Sequence, residues 1–199
     1  MIDGLQYLPN YLSRDAQEEL VDIVRKQLNN NPFYTPRMPR SAQPFSVKMT
    51  NLGTLGWVSD ISGYRYEKIH PETQKTWPSI PRALMSIWEA LAQYPNPPEA
   101  CLVNYYDVNA KMGLHTDSDE QDIKAPVISI SLGDSARFRI GGLSRKDPTK
   151  SFKINSGDII ILGGAARMAF HGIDRIYGGS STLLKNGGRL NLTLRRVNK

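Results

Sequence analysis

The chain has 199 residues and a mass of 22.3 kDa, enough to bury a core without staples. Its single cysteine, Cys101, excludes an intramolecular disulfide and reads as a buried thiol in a reducing compartment. No run approaches the roughly 18 apolar residues of a spanning helix, and residues 1–10 lack the basic start and apolar core of a secretion signal, so a soluble, cytoplasmic protein is expected. Lys and Arg total 25 against 19 Asp and Glu, a net charge of +6 that favours polyanionic partners without by itself proving one.

The first predicted element is an amphipathic helix over 13–30. Leu20, Val21, Val24 and Leu28 recur at helical spacing, Ser13 is the expected N-cap, Asp15 falls in the first turn, and Asn29-Asn30-Asn31-Pro32 stops it. A second helix is expected over 81–93, with Leu84, Ile87, Trp88 and Leu91 as its apolar stripe and Pro81 at its first position. Both read as buttresses against a sheet. Between them, residues 33–80 are rich in Pro, Gly, Ser and aromatics and poor in aliphatics, which predicts short strands and loops lying as a flap over something else. His70, before Pro71, reads as an ordinary surface or loop histidine.

After Pro98 the pattern changes. Short β-prone runs at 100–106, 126–132, 136–140, 152–154, 158–162 and 189–197 are separated by Gly-Asp, Gly-Gly, Asn-Ser-Gly-Asp and Asn-Gly-Gly turns. No helical period intervenes, so a jelly roll or two-sheet barrel is expected over 100–197. The whole chain reads as a single domain, mainly β.

His115 and Asp117 are two residues apart, which on an extended segment turns both side chains to one face. His171, placed after an apolar strand and a Gly-Gly turn, is the natural third ligand. Two imidazoles and a carboxylate leave half of an octahedral ion free for a chelating acid and dioxygen. A lone, remote Cys101 argues against structural zinc, and Fe(II) supplies electrons that zinc cannot. Near the C-terminus, Arg189, Asn191, Thr193 and Arg195 alternate with Leu190, Leu192 and Leu194, so the polar set shares one face. Two inward arginines need anions, and a dicarboxylate such as 2-oxoglutarate would satisfy both. Asn104 and Tyr106, again two apart, could add an amide and a phenol.

The segments NYYDVNAKMGLHTDSDE, APVISISLG, FRIGGLSRKDP, SGDIIILGG, FHGI and RLNLTLR occur in this order within residues 45–196. In them the chain resembles the AlkB family of Fe(II)/2-oxoglutarate dioxygenases, particularly the bacterial enzymes that repair alkylated DNA. The resemblance implies a double-stranded β-helix core, two N-terminal supporting helices and a nucleotide-recognition flap. It implies Fe(II) held by His115, Asp117 and His171, with 2-oxoglutarate and O2 as co-substrates. The 2-oxoglutarate site would comprise Asn104, Tyr105, Tyr106, Arg189, Asn191, Thr193 and Arg195. In that family pattern Arg189, helped by Tyr106, grips the distal carboxylate, while Arg195 and Asn104 serve the end that chelates iron. Trp57, Tyr64, Arg65, Tyr66, Asp119 and Arg145 would form the nucleotide site.

Oxidative demethylation of 1-methyladenine or 3-methylcytosine, in single- or double-stranded DNA or in RNA, follows as the expected activity of a monomer. A cationic methylated base suits an aromatic face from Trp57 and a carboxylate from Asp119. It also costs less to flip than an intact one. Arg37, Arg40, Lys48, Arg65, Lys68 and Arg145 are candidates for holding phosphates. Ser118 and Asp60 depart from the family pattern at positions that can be basic, which bears on lesion and strand preference. The rival readings are an oxygenase acting on RNA, protein or a small molecule, and a noncatalytic nucleic-acid-binding barrel.

Overall fold

The computed structural model describes residues 2–199. In chain order its elements are β1 (Leu5–Leu8), α1 (Arg14–Leu28), β2 (Lys48–Gly53), β3 (Gly56–Asp60), β4 (Gly63–Glu67), α2 (Arg82–Leu91), β5 (Ala100–Tyr106), β6 (Met112–His115), β7 (Val127–Gly133), β8 (Ser135–Ile140), β9 (Lys150–Ile154), β10 (Ile159–Leu162), β11 (His171–Tyr177) and β12 (Arg189–Arg195). A short 3-10 turn, Gly164–Met168, precedes β11. Among the described residues no helix is long and apolar enough to cross a membrane.

Both expected helices form. Ser13 caps α1, its Oγ accepting from the Ala16 N–H at 3.3 Å, and Asp15 and the Arg25/Lys26 pair sit at the helix ends that suit their charges. In α2, Pro81 occupies the N-cap rather than the first helical position, with extended backbone and no side-chain cap. The buried faces of the helices, carried by Leu20, Val21, Val24, Leu84, Ile87 and Trp88, cover one side of a six-stranded antiparallel sheet ordered β1-β10-β7-β12-β5-β2. Leu190, Leu192 and Leu194 of β12 meet them there, each burial contributing roughly 1.5–3 kcal/mol.

The other side of that sheet shares a second core with the four-stranded sheet β6-β11-β8-β9, through Tyr106, Leu102, Val127 and Ile160 from one and Phe138, Ile154, Ile173 and Ile176 from the other. Two facing antiparallel sheets with helices outside make the jelly-roll architecture that the strand spacing predicts. Because the larger sheet is buried on both faces, Ile159–Leu162 is continuously apolar rather than alternating.

Three strands lie outside the predicted runs. β1 pairs with β10 and closes one edge of the large sheet, β6 carries the first histidine, and β11 starts at the second. Within 33–80 only β3 and β4 form the separate hairpin, whereas β2 pairs with β5 as the other edge of the large sheet. His70 is not at the surface. It is fully buried between Tyr34 and Trp77, with Nε2 on the Pro32 carbonyl at 2.9 Å and Nδ1 accepting from the Glu72 and Thr73 amides. An aromatic cluster thus supplies the packing that the missing aliphatics would have supplied.

Candidate metal centre and active-site cavity

His115 ends β6, His171 begins β11, and the two are direct cross-strand partners. Their ring centroids are 4.5 Å apart. Asp117 lies just past the end of β6, with its carboxylate oxygens 3.8 Å from Nε2 of each histidine, and the three donor atoms all lie within 4.8 Å of one another. Each Nδ1 faces a backbone carbonyl, Gly113 for His115 at 2.9 Å and Ala169 for His171 at 3.0 Å. Those bonds place the proton on Nδ1 and leave each Nε2 lone pair for an ion. Burial pushes the pKa of His171 down to about 4, so it remains neutral and ready to ligate at neutral pH. The close approach of β6 to β11 needs Gly172, because a Cβ there would come within 2.6 Å of the Met112 carbonyl.

Asp117 is buried. Desolvation alone would raise its pKa, but Arg195 foremost, with the two histidines and Arg167, holds it well below the usual carboxylate range. Arg195 donates to Asp117 at 2.8 Å and to Glu120 at 2.9 Å. Glu120 also accepts from Arg167 at 3.1 Å and from the Tyr66 hydroxyl. Sequence reasoning missed both Glu120 and Arg167. Glu120 stands three residues after Asp117, and a glutamate that close to a ligand was the available signal; Arg167, in the turn before β11, offered none.

A cavity of about 430 Å³ opens above the triad. Its floor carries Asn104, Tyr106, Arg189, Asn191, Thr193 and Arg195, as the alternation in β5 and β12 requires. Arg189 is 2 % exposed, donates to Ser131 Oγ at 2.9 Å and lies over the Tyr106 ring at 5.1 Å, yet its Nε and Nη1 have no partner. Burial pushes its pKa down from the ordinary guanidinium value, as expected for a cation without a counter-charge. Asn104 Oδ1 and Arg195 Nε are likewise unpartnered. Buried orphaned donors and acceptors are costly, and the residues that carry these, Arg189 and Arg195 as donors and Asn104 as an acceptor, line the cavity beside the histidine–aspartate–histidine set. A chelating diacid that is also bound to an ion fits both halves of the cavity.

Tyr105 is not part of this floor. It points to the opposite side of β5, against Phe33, because neighbouring strand residues face opposite ways. Both terminal nitrogens of Arg195 are engaged by Asp117 and Glu120, leaving only Nε for a ligand.

At the mouth, Trp57 donates from Nε1 to Asp119 at 2.7 Å and stacks on Tyr64 at 5.5 Å. Arg145 lines the same mouth and lies 5.3 Å from the Phe170 ring centroid. Ser118 is also there. Arg65 is drawn away, bonded to Asp60 and Glu67, and Tyr66 reaches Glu120 beneath the cavity instead of entering it. Arg37, Arg40, Lys48 and Lys68 are exposed.

Residues 4–195 match the family described as the 2OG-Fe(II) oxygenase superfamily. The chain is 52 % identical over 197 residues to an alpha-ketoglutarate-dependent dioxygenase AlkB homolog of Caulobacter vibrioides (strain NA1000 / CB15N), covering 99 % of this chain and 89 % of that one. It is 39 % identical over 189 residues to the alpha-ketoglutarate-dependent dioxygenase AlkB of Escherichia coli (strain K12), covering 93 % and 87 %. The solved structure of OsALKBH1 superposes with a TM-score of 0.85 at 32 % identity, covering 98 % of each chain. With a triad suited to Fe(II), a cavity suited to 2-oxoglutarate and these likenesses, the chain belongs to the AlkB-type 2OG-Fe(II) oxygenases.

Proposed function

We propose that this enzyme removes methyl groups from ring nitrogens of nucleobases, 1-methyladenine and 3-methylcytosine in DNA first and in RNA second. The observation that carries the reading is the Trp57–Asp119 pair over the triad, an indole face locked to a carboxylate at 2.7 Å. A base methylated on a Watson–Crick nitrogen is cationic, and a π face with a carboxylate at its edge is what such a base seeks. The names of the relatives support the nucleic-acid class: a DNA N(6)-methyladenine demethylase of Arabidopsis thaliana and a tRNA demethylase of Schizosaccharomyces pombe are among them. A reducing compartment such as the cytoplasm agrees with the single, buried free thiol.

In this reading His115, Asp117 and His171 hold the ion, and each histidine presents Nε2 to it while its Nδ1 faces a backbone carbonyl. Arg189, held by Ser131, takes the far carboxylate of 2-oxoglutarate with Tyr106, and that carboxylate fills the Arg189 Nε and Nη1 donors left open in the cavity floor. Asn104, Asn191 and Thr193 line its length, and Arg195 keeps Asp117 ionised and oriented. With Fe(II), 2-oxoglutarate and O2 bound, the centre supplies the oxidising power that hydroxylates an N-methyl carbon, the co-substrate leaving as succinate and CO2 and the methyl as formaldehyde. Trp57, Tyr64 and Asp119 hold the flipped base with its methyl group toward the triad and keep water from the oxidation. Arg145 sits where a neighbouring phosphate would pass.

The test is mass measurement of oligonucleotides carrying 1-methyladenine or 3-methylcytosine after incubation with the Fe(II)-loaded protein, 2-oxoglutarate and O2. Loss of the methyl mass is expected. Retention of every methyl group by a protein that still turns over 2-oxoglutarate would move the assignment to another substrate.

A further inference from the structure

The four-stranded sheet has a core face and an outer face. Phe138, Ile154, Ile173 and Ile176 point into the core, so Arg137, Arg139, Lys153, Arg175 and Tyr177 point out. In the strand register Arg137 is opposite Arg175 on β11 and opposite Lys153 on β9. Three exposed cations therefore stand in one row across three adjacent strands. At about 4.8 Å per strand the row spans roughly 10 Å of backbone.

Like charges placed directly across a sheet are destabilising. Among the described residues none of these three forms an ion pair; the nearby carboxylate, Asp174, is displaced by a bulge between Ile173 and Arg175 and lies 3.2 Å from Arg139. The Arg139 Nε is buried without a hydrogen-bond partner. Tyr177 lies between two members of the row, its ring centroid 5.5 Å from Lys153 Nζ and 5.4 Å from Arg175 Cζ. A lysine on an exposed sheet edge guards against unwanted pairing, and β9 is an edge. That accounts for Lys153 and leaves Arg137 and Arg175, whose strands have neighbours on both sides.

We infer that this row is a docking surface for the phosphodiester backbone of a nucleic acid, separate from the cavity that takes the base. The inference rests on the proposed function for the source of that strand. The charges are complementary, and unmatched like charges lose their repulsion when phosphates lie across them. The row is also continuous with the mouth: β8 carries Arg137 and Arg139 and leads through Gly141 and Gly142 to the loop that holds Arg145. A strand leaving the mouth past Arg145 and Arg139 reaches Arg137, with Arg175 and Lys153 on either side of it. An anionic membrane suits the surface less well, because no aliphatic side chain of β8, β9 or β11 is exposed beside the cations.

The test uses the full chain and the triple variant Arg137→Ala/Lys153→Ala/Arg175→Ala, all surface positions. Binding of an undamaged 30-nucleotide single strand is read by fluorescence anisotropy over a salt series, and turnover is read on a lesion-bearing trinucleotide and 30-mer. The variant is expected to bind the 30-mer at least about tenfold more weakly, with a salt slope reduced by about 2 for three lost phosphate contacts. Its kcat/KM on the trinucleotide should equal that of the parent, and its KM on the 30-mer should rise with Kd. Equal Kd and equal salt slope in the two proteins would overturn the inference. So would binding of the parent to phosphatidylserine vesicles that exceeds its binding to the strand and is lost in the variant. Should the parent leave the trinucleotide lesion intact, the proposed function fails alone, because the undamaged-strand arm needs no turnover.

Discussion

Arg195 Nη2 lies 2.8 Å from Asp117 Oδ1, and its Nη1 lies 2.9 Å from Glu120 Oε1, so one guanidinium ties a candidate metal ligand to the acid that receives the flap hydroxyl of Tyr66. The group is buried. Burial alone would lower the pKa of Arg195, but Asp117, Tyr66 and Glu120 raise it well above its ordinary value, and the cation is permanent. The β3–β4 hairpin and the histidine–aspartate–histidine set are therefore joined through buried charge.

Removing that charge leaves two buried carboxylates facing each other, with Arg167 as the cation that remains. Arg195→Leu is expected to destabilise the metal-free protein by about 3–5 kcal/mol, the usual cost of breaking one side of a buried ion pair. Urea unfolding monitored by circular dichroism reads it directly; a change under 1 kcal/mol would show that the network carries little.

Arg189 is the buried cation with most to gain from a ligand. Arg189→Met should raise the KM for 2-oxoglutarate by about 30-fold or more, the equivalent of roughly 2 kcal/mol or more for a lost buried charge pair. Affinity for the ion alone should stay within a factor of about two. Titration of the Mn(II)-loaded protein with 2-oxoglutarate separates the two, and an unchanged affinity would remove Arg189 from the diacid site.

His171→Ala takes one imidazole from the triad and exposes little else. Turnover should fall below detection while the circular dichroism spectrum matches the parent, and tight retention of Fe(II) by the variant would argue that the ion sits elsewhere.

Trp57→Ala removes a stacking face worth about 1–3 kcal/mol per base. The KM for a methylated oligonucleotide should rise roughly 5- to 150-fold, with 2-oxoglutarate consumption in the absence of nucleic acid unaffected. Parallel loss of both activities would place Trp57 in a structural rather than a substrate role.

Burial pushes the Cys101 thiol up to about 12, leaving almost no thiolate at pH 8. Iodoacetamide should therefore leave Cys101 unmodified in the folded protein and alkylate it in urea, as mass spectrometry would show. Rapid labelling of the native chain would mean that the sheet under α1 and α2 opens.

Local repetition made much of this molecule legible. Leu190, Leu192 and Leu194 against Arg189, Asn191, Thr193 and Arg195 assign the two faces of β12 before any partner strand is known, since the period of a strand is fixed by covalent geometry. Leu20, Val21 and Val24 do the same for α1. His115 announces itself as one of only three histidines, and Asp117 by standing two residues after it. The placement of Tyr105 follows the same rule of alternation as Tyr106, and only the family resemblance set it in the pocket.

The other features depend on which strand lies beside which. The pairing of His115 with His171, the departure of β2 from the flap to the sheet edge, the burial of His70 and the convergence of Arg167, Glu120 and Arg195 all join segments far apart in sequence. So does the row of Arg175, Arg137 and Lys153. Sequence by itself determined the period of each element and the chemical types that face inward. Only the tertiary structure decided their register, because hydrogen-bonded pairing between remote strands is chosen by the packing of the whole core, which no single segment encodes.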